Sequence, residues 1–269
     1  MDTSLELLLL KVAIAPTFVG IVSVVALRYG PRAAGWLVAL PINTGTIVFI
    51  LALTEGTAFA ASTALGALLG IVSISAFNIG YSRSALRFGW PVCLGAAVAG
   101  FAASTFLLTR VPELVLLDLV LAVLSIAVVL VVLPKKGDVA PSPPAPKWEI
   151  PARMLTAVLL VVVITTVAGN LGPQLSGLLS PIPVFTITLV VFTHSREGPA
   201  PVFVFLGGLQ YGLVSFAAFC AVVGVLLEPE GLGVAMGAGL AAFLAVSWVL
   251  RMLLQWFPVR RTTGPSPSP

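Results

Sequence analysis

The sequence predicts an all-α integral membrane protein of about nine transmembrane helices, and three observations carry that expectation. Of 269 residues, 59% are hydrophobic and only 9% are charged, whereas soluble domains run near a quarter charged. Apolar runs of about 20 residues recur along the whole chain, each long enough to cross about 30 Å of hydrocarbon as a helix. The strict polar–apolar alternation of outer-membrane strands is not found in these runs.

In order, the spans fall at about 5–27, 33–54, 57–80, 88–108, 113–133, 152–170, 174–194, 200–227 and 231–256. Span 1 follows Met1-Asp2-Thr3-Ser4-Leu5-Glu6, whose two acids and lack of a basic stretch predict a retained span rather than a cleaved signal. Span 2 is interrupted at Pro41-Ile42-Asn43-Thr44-Gly45-Thr46 and closes on Glu55-Gly56. A proline inside a helix removes one backbone hydrogen bond and clashes with the carbonyl four residues back, freeing polar groups where water is scarce. Span 3 carries Gly66-x-x-x-Gly70, a small-residue spacing that lets helices approach closely. Spans 4 and 5 follow on short connections. A proline-rich stretch from Pro134 to Lys147 then reads as a semi-rigid tether. After span 6, span 7 is interrupted at Pro181 and Pro183 and closes on Glu197-Gly198. Span 8 carries Gly208-x-x-x-Gly212, span 9 carries Gly233-x-x-x-Gly237, and the tail through Pro269 reads as disordered. The chain divides into a first membrane unit with an extra helix (1–133), a linker (134–151), a second unit (152–257) and a tail (258–269).

The two units are alike. Residues 30–77 set against 172–219, with no gap, are identical at 17 of 48 positions. That offset of 142 aligns Pro41, Thr44, Thr46 and Glu55 with Pro183, Thr186, Thr188 and Glu197. Five spans precede the tether, so equivalent spans enter from opposite sides and the repeat is inverted, in a 4 + 1 + 4 arrangement. Charge supports this orientation: twelve Lys and Arg residues fall on one side and only Lys11 and Arg110 on the other. The rule that cytoplasmic loops are positive places the N-terminus outside and the C-terminus in the cytoplasm, in an inner (plasma) membrane. The net charge of +4 is explained this way, with no need for nucleic acid.

Broken helices at matching positions of two inverted copies point to a transporter site. The expected substrate-binding set is Pro41, Asn43, Thr44, Thr46, Pro183, Thr186 and Thr188, with Gln210 and Tyr211 added because polar residues there replace Leu68 and Leu69 of the first copy. Lys11 and Asp118 lie at similar depth and form a candidate coupling pair, set against solvation at the outer interface. Glu55 and Glu197 are candidate gating acids, set against ordinary solvated turn residues. His194, the only histidine, reads as a solvated interfacial residue or a proton relay. Cys93 and Cys220 lie in apolar runs and suit packing, not a disulfide or a metal. No catalytic constellation, phosphate loop or metal-ligand cluster appears, so neither an enzyme nor a cofactor is expected.

Pro181-Ile182-Pro183-Val184-Phe185-Thr186, ending in Ser195-Arg196-Glu197-Gly198, resembles the core of the small GlpM-like bacterial inner-membrane proteins. Those are short four-span chains with a Pro-Phe-Thr-like break and an acidic-glycine end, and their biochemical role is not established. The resemblance covers about fifty residues of each half, and Asn43-Thr44-Gly45 departs from the Phe-bearing form. It implies a fused, inverted pair of such units and supplies no substrate.

The expectation is a transporter or permease-like protein that moves a small solute or ion by alternating access between broken helices 2 and 7. The rival is a non-transporting assembly or accessory subunit that binds a partner protein or lipid. A channel is a weaker third reading, because no filter-like polar ring is visible. Expected partners are the bilayer, the solute or ion, and a second copy of the chain.

Overall fold

A computed structural model describes residues 3–110, 114–134, 146–171 and 183–256, with side chains described for 16–110, 114–134, 146–163 and 183–253. The helices are α1 (Thr3–Tyr29), α2 (Pro31–Val38), α3 (Ile42–Thr54), α4 (Thr57–Ser84), α5 (Trp90–Leu108), α6 (Val115–Val132), α7 (Glu149–Leu171), α8 (Val184–Glu197) and α9 (Pro199–Trp256). There is no strand among the described residues. Five segments are long and apolar enough to cross a membrane: Pro31–Thr54, Thr57–Ser84, Trp90–Leu108, Val115–Val132 and Pro199–Leu253. These properties make the chain a helical membrane protein. The proline-rich tether between 135 and 145, the first half of the predicted span 7 and the tail lie outside the described residues.

Chain breaks fall where the backbone needs glycine. Gly30, Gly56, Gly198 and Gly231 have φ of 87°, 96°, 80° and 78°, values that an L side chain adopts only under strain. Gly231 matters most. A straight helix of α9's 58 residues would run about 87 Å, far beyond a bilayer. At Gly231, just after Pro229, the helix instead folds back on itself. Gly239 of the second arm then packs against Val223 and Phe219 of the first.

α4 runs through the middle of the molecule, with α3, α5, α6 and α9 packed around it. Its buried face includes Leu68, Ile71, Ser75, Asn78 and Ser82. The other tight joint is between α2 and the first arm of α9. A methyl group on Gly35 would sit 2.0 Å from the Phe205 carbonyl oxygen, and one on Gly208 would sit 2.1 Å from the Arg32 carbonyl oxygen. Gly212 is held against Ala39 and Trp36 in the same way.

Of the three small-residue spacings, only Gly208-x-x-x-Gly212 brings helices together. Positions around Gly66, Gly70, Gly233 and Gly237 are open, with no atom within 4 Å of a built Cβ. The packing expected of those two pairs is therefore corrected: spacing alone does not fix which helix face meets a neighbour.

Candidate functional site

The break in span 2 is real and is largely repaired by its own backbone. α2 stops at Val38, and the amides of Ala39 and Leu40 donate to the carbonyls of Trp36 and Leu37, each at 3.1 Å. Leu37 is the residue four before Pro41, so the carbonyl displaced by the proline ring has a partner. Pro41 caps α3, the Gly45 amide donates to the Pro41 carbonyl at 2.7 Å, and the Thr46 hydroxyl donates to the Ile42 carbonyl at 2.6 Å. The matching position, at the start of α8, has the same chemistry. Pro183 caps α8, the Ile187 amide donates to the Pro183 carbonyl at 2.9 Å, and the Thr188 hydroxyl donates to the Val184 carbonyl at 3.0 Å. Such back-bonding patches a helix from within. It occupies Thr46 and Thr188 with their own turns.

The two motifs meet different surroundings. Thr186 and Thr188 are buried, whereas Asn43 is exposed and Thr44 and Thr46 are half-buried. Among the described residues α3 packs on α4 and touches α9 but does not reach α8, and it is α2 that touches α8. Thr44 and Thr186 are thus not brought together.

Of the remaining candidates, Glu55 is exposed at the end of α3, and Lys11's side chain lies outside the described residues. Asp118 is buried on the inward face of α6 with Ala122, Ile126 and Val129. Tyr211 is half-buried. Glu197 is half-buried and acts electrostatically on Arg153.

Three polar features join residues that the sequence does not pair. The first is an ion network at the start of α7. Arg153 donates to one oxygen of Glu149 at 2.5 Å, and Arg196 from the end of α8 donates to the other. Glu149 and Arg153 are almost wholly buried, and the Arg153 guanidinium lies 5.7 Å from the Phe192 ring centre. The sequence placed Glu149 in the linker, because its apolar run starts at 152. A Glu and an Arg four residues apart on one helix face was the available signal.

The second feature is Tyr81 of α4, whose hydroxyl donates to the Val190 carbonyl at 3.3 Å and lies 3.1 Å from His194 Nδ1. His194 therefore faces a buried tyrosine. The third is a pair of amides. Asn78 of α4 and Gln210 of α9 are fully buried, and neither the oxygen nor the nitrogen of either side chain has a hydrogen-bond partner. One turn from Asn78, the Ser125 hydroxyl of α6 donates to that of Ser75 at 3.1 Å. An asparagine inside an apolar span was a legible signal for Asn78. Among the described residues no cluster of three or more His, Cys, Asp or Glu could hold a metal.

No protein-family model matches the chain, and no characterised protein or solved structure is detectably similar to it.

Proposed function

We propose that the chain is a transporter- or permease-like protein of the inner membrane. It would be built from two inverted copies of one unit and would move a small solute or ion by alternating exposure of a site inside the bundle. The observation that carries this reading is that a proline-capped helix start recurs with its chemistry at an offset of 142 residues. Pro41 and Pro183 each cap a helix. Thr46 and Thr188 each donate to the carbonyl four residues back. Gly56 and Gly198 each end the element with positive φ. Twelve of fourteen basic residues on one side support the inversion, and the GlpM-like core of residues 181–198 would on this reading be an inherited feature of the unit.

On this reading the breaks are the places where each copy bends, and Thr44 and Thr186, whose neighbours Thr46 and Thr188 bond their own turns, are the hydroxyls left for a solute. Asp118 with Lys11, and Glu197 beside Arg153, are the charges that would couple or gate. The test is transport by the purified full chain in proteoliposomes, with Thr44→Val and Thr186→Val as variants. The reading expects both variants to insert normally and to lose uptake. Wild-type activity in both would remove these hydroxyls from the site.

One observation favours the second reading, an accessory subunit that binds a protein or lipid. α3 does not pack on α8, so the threonines after the two prolines do not face each other across one shared site. That reading expects no solute-induced thermal stabilisation from any member of a broad solute panel.

A further inference from the structure

The amides of Asn78 and Gln210 occupy one level of the molecule. Gly224 of α9 packs against the Leu65 side chain near the Ala61 carbonyl of α4. Further along, Gly207 of α9 packs against Leu133, at the end of α6. α6 runs alongside α4 and bonds it through Ser125 and Ser75. The first arm of α9 is therefore antiparallel to α4. From the Leu65–Gly224 contact, Asn78 and Gln210 each lie about 20 Å along their helices in the same direction, at 1.5 Å per residue.

Both side chains sit on buried faces, and an unpartnered buried amide costs free energy with no structural return. Each amide offers one acceptor and two donors. No acidic or basic residue occurs at 74–82 of α4, 122–129 of α6 or 206–214 of α9. Arg32 of α2 and His194 of α8 approach the neighbouring turns at Gly208 and Tyr81, but on these three helices the amides, able both to donate and to accept and without a charged side chain beside them in sequence, suit an uncharged solute better than an ion.

We infer that Asn78 and Gln210 form a hydrogen-bonding site for a small uncharged solute bearing both donors and acceptors, of the amide or polyol class. This rests on the transporter reading and names its substrate class. Asn78 and Gln210, more than the threonines after the prolines, would contact the solute.

The experiment uses the full chain in proteoliposomes and follows swelling after an osmotic step with urea, acetamide or glycerol, with sodium, potassium and chloride fluxes measured in parallel. Variants are Asn78→Leu, Gln210→Met and the double variant, with Ser73→Ala as a control outside the site. The expected result is entry of at least one uncharged solute faster than in empty vesicles. Either apolar variant should cut this by at least about tenfold, the loss expected when a buried hydrogen bond is removed, while thermal stability stays level or rises. That combination separates a ligand site from helix glue, because removing unpartnered amides relieves a desolvation penalty.

Entry unchanged by the variants would overturn the inference. So would a fall in stability in each single variant with no further fall in the double, which would mean that the amides, directly or through a trapped water, hold α4 to α9. Flux of an ion but of no uncharged solute would overturn the substrate class and leave the transporter reading standing. No flux of any probe would take both away.

Discussion

Thr105 of α5 donates a hydrogen bond to Ser73 of α4 at 2.9 Å. At an offset of 142 residues, Ser247 donates to Ser215 across the fold in α9 at 2.8 Å. Each pair is 32 residues apart, and each is centred on a glycine at a helix junction, Gly89 or Gly231. Position 105 lies beyond the 48 residues of sequence identity, so the shared offset of the two bonds is a separate observation. A hydroxyl pair fixes the register of two antiparallel helices because an unpaired hydroxyl in an apolar interface is costly.

Interhelical hydrogen bonds in membrane proteins contribute on average about 0.6 kcal/mol and at most about 1.7. A double-mutant cycle on Ser73→Ala and Thr105→Val should give a coupling of that size, and Ser215→Ala with Ser247→Ala should give a similar one. Thermal unfolding in detergent measures both. Zero coupling in one pair and a full value in the other would argue against equivalent hairpins.

Glycines at the α2–α9 joint should not tolerate a methyl group. Gly35→Ala and Gly208→Ala each place a Cβ 2.0 or 2.1 Å from a backbone oxygen, far inside van der Waals contact, and overpacking of this kind costs typically about 1–3 kcal/mol or more. Gly66→Ala, where the space is open, should be neutral or slightly stabilising, since alanine is the better helix former. Comparing the unfolding midpoints of the three variants is a direct check.

Glu149→Gln should be among the more damaging single changes in the described chain. Removing one partner of a buried ion pair leaves an uncompensated charge and costs about 3–5 kcal/mol. Arg196→Gln should cost less than Arg153→Gln, because the Arg196 side chain is 18% exposed against 5% for Arg153, and water screens the former more strongly. The order of the three midpoints reads this out, and an Arg196 variant as damaging as Glu149→Gln would contradict it.

Orientation can be read by thiol labelling, since the two native cysteines are fully buried and give little background. Arg110 and Arg87 are both exposed at helix ends. With an impermeant maleimide on intact cells, Arg110→Cys should label, whereas Arg87→Cys should label only after permeabilisation. The reverse pattern would invert the topology proposed from the charges.

The membrane-protein class and the helix breaks were legible before any coordinates. Apolar runs of sufficient length, Pro41, and the Glu-Gly ends at 55–56 and 197–198 are local signals that act through backbone chemistry. Span 9 was read as starting at 231, the residue at which α9 folds. Partners across the bundle were not legible. Gly66 and Gly208 carry the same spacing, yet only Gly208 meets a neighbouring backbone, because helix rotation is set by all contacts at once. For the same reason Asn78 passed unnoticed among the apolar residues of span 3, and Glu149 was left in a linker.

The sequence by itself determined that this chain is helical, that it belongs in a bilayer, and where its helices break, because hydrophobic length, proline sterics and glycine conformations are properties of short stretches. Only the tertiary structure decided that Thr46 and Thr188 bond their own turns, that α3 stands away from α8, that Glu149 gathers two arginines, and that two unpartnered amides lie at one depth. Those outcomes depend on which faces of distant helices meet, and burial and hydrogen-bond satisfaction are settled only when the whole bundle is packed.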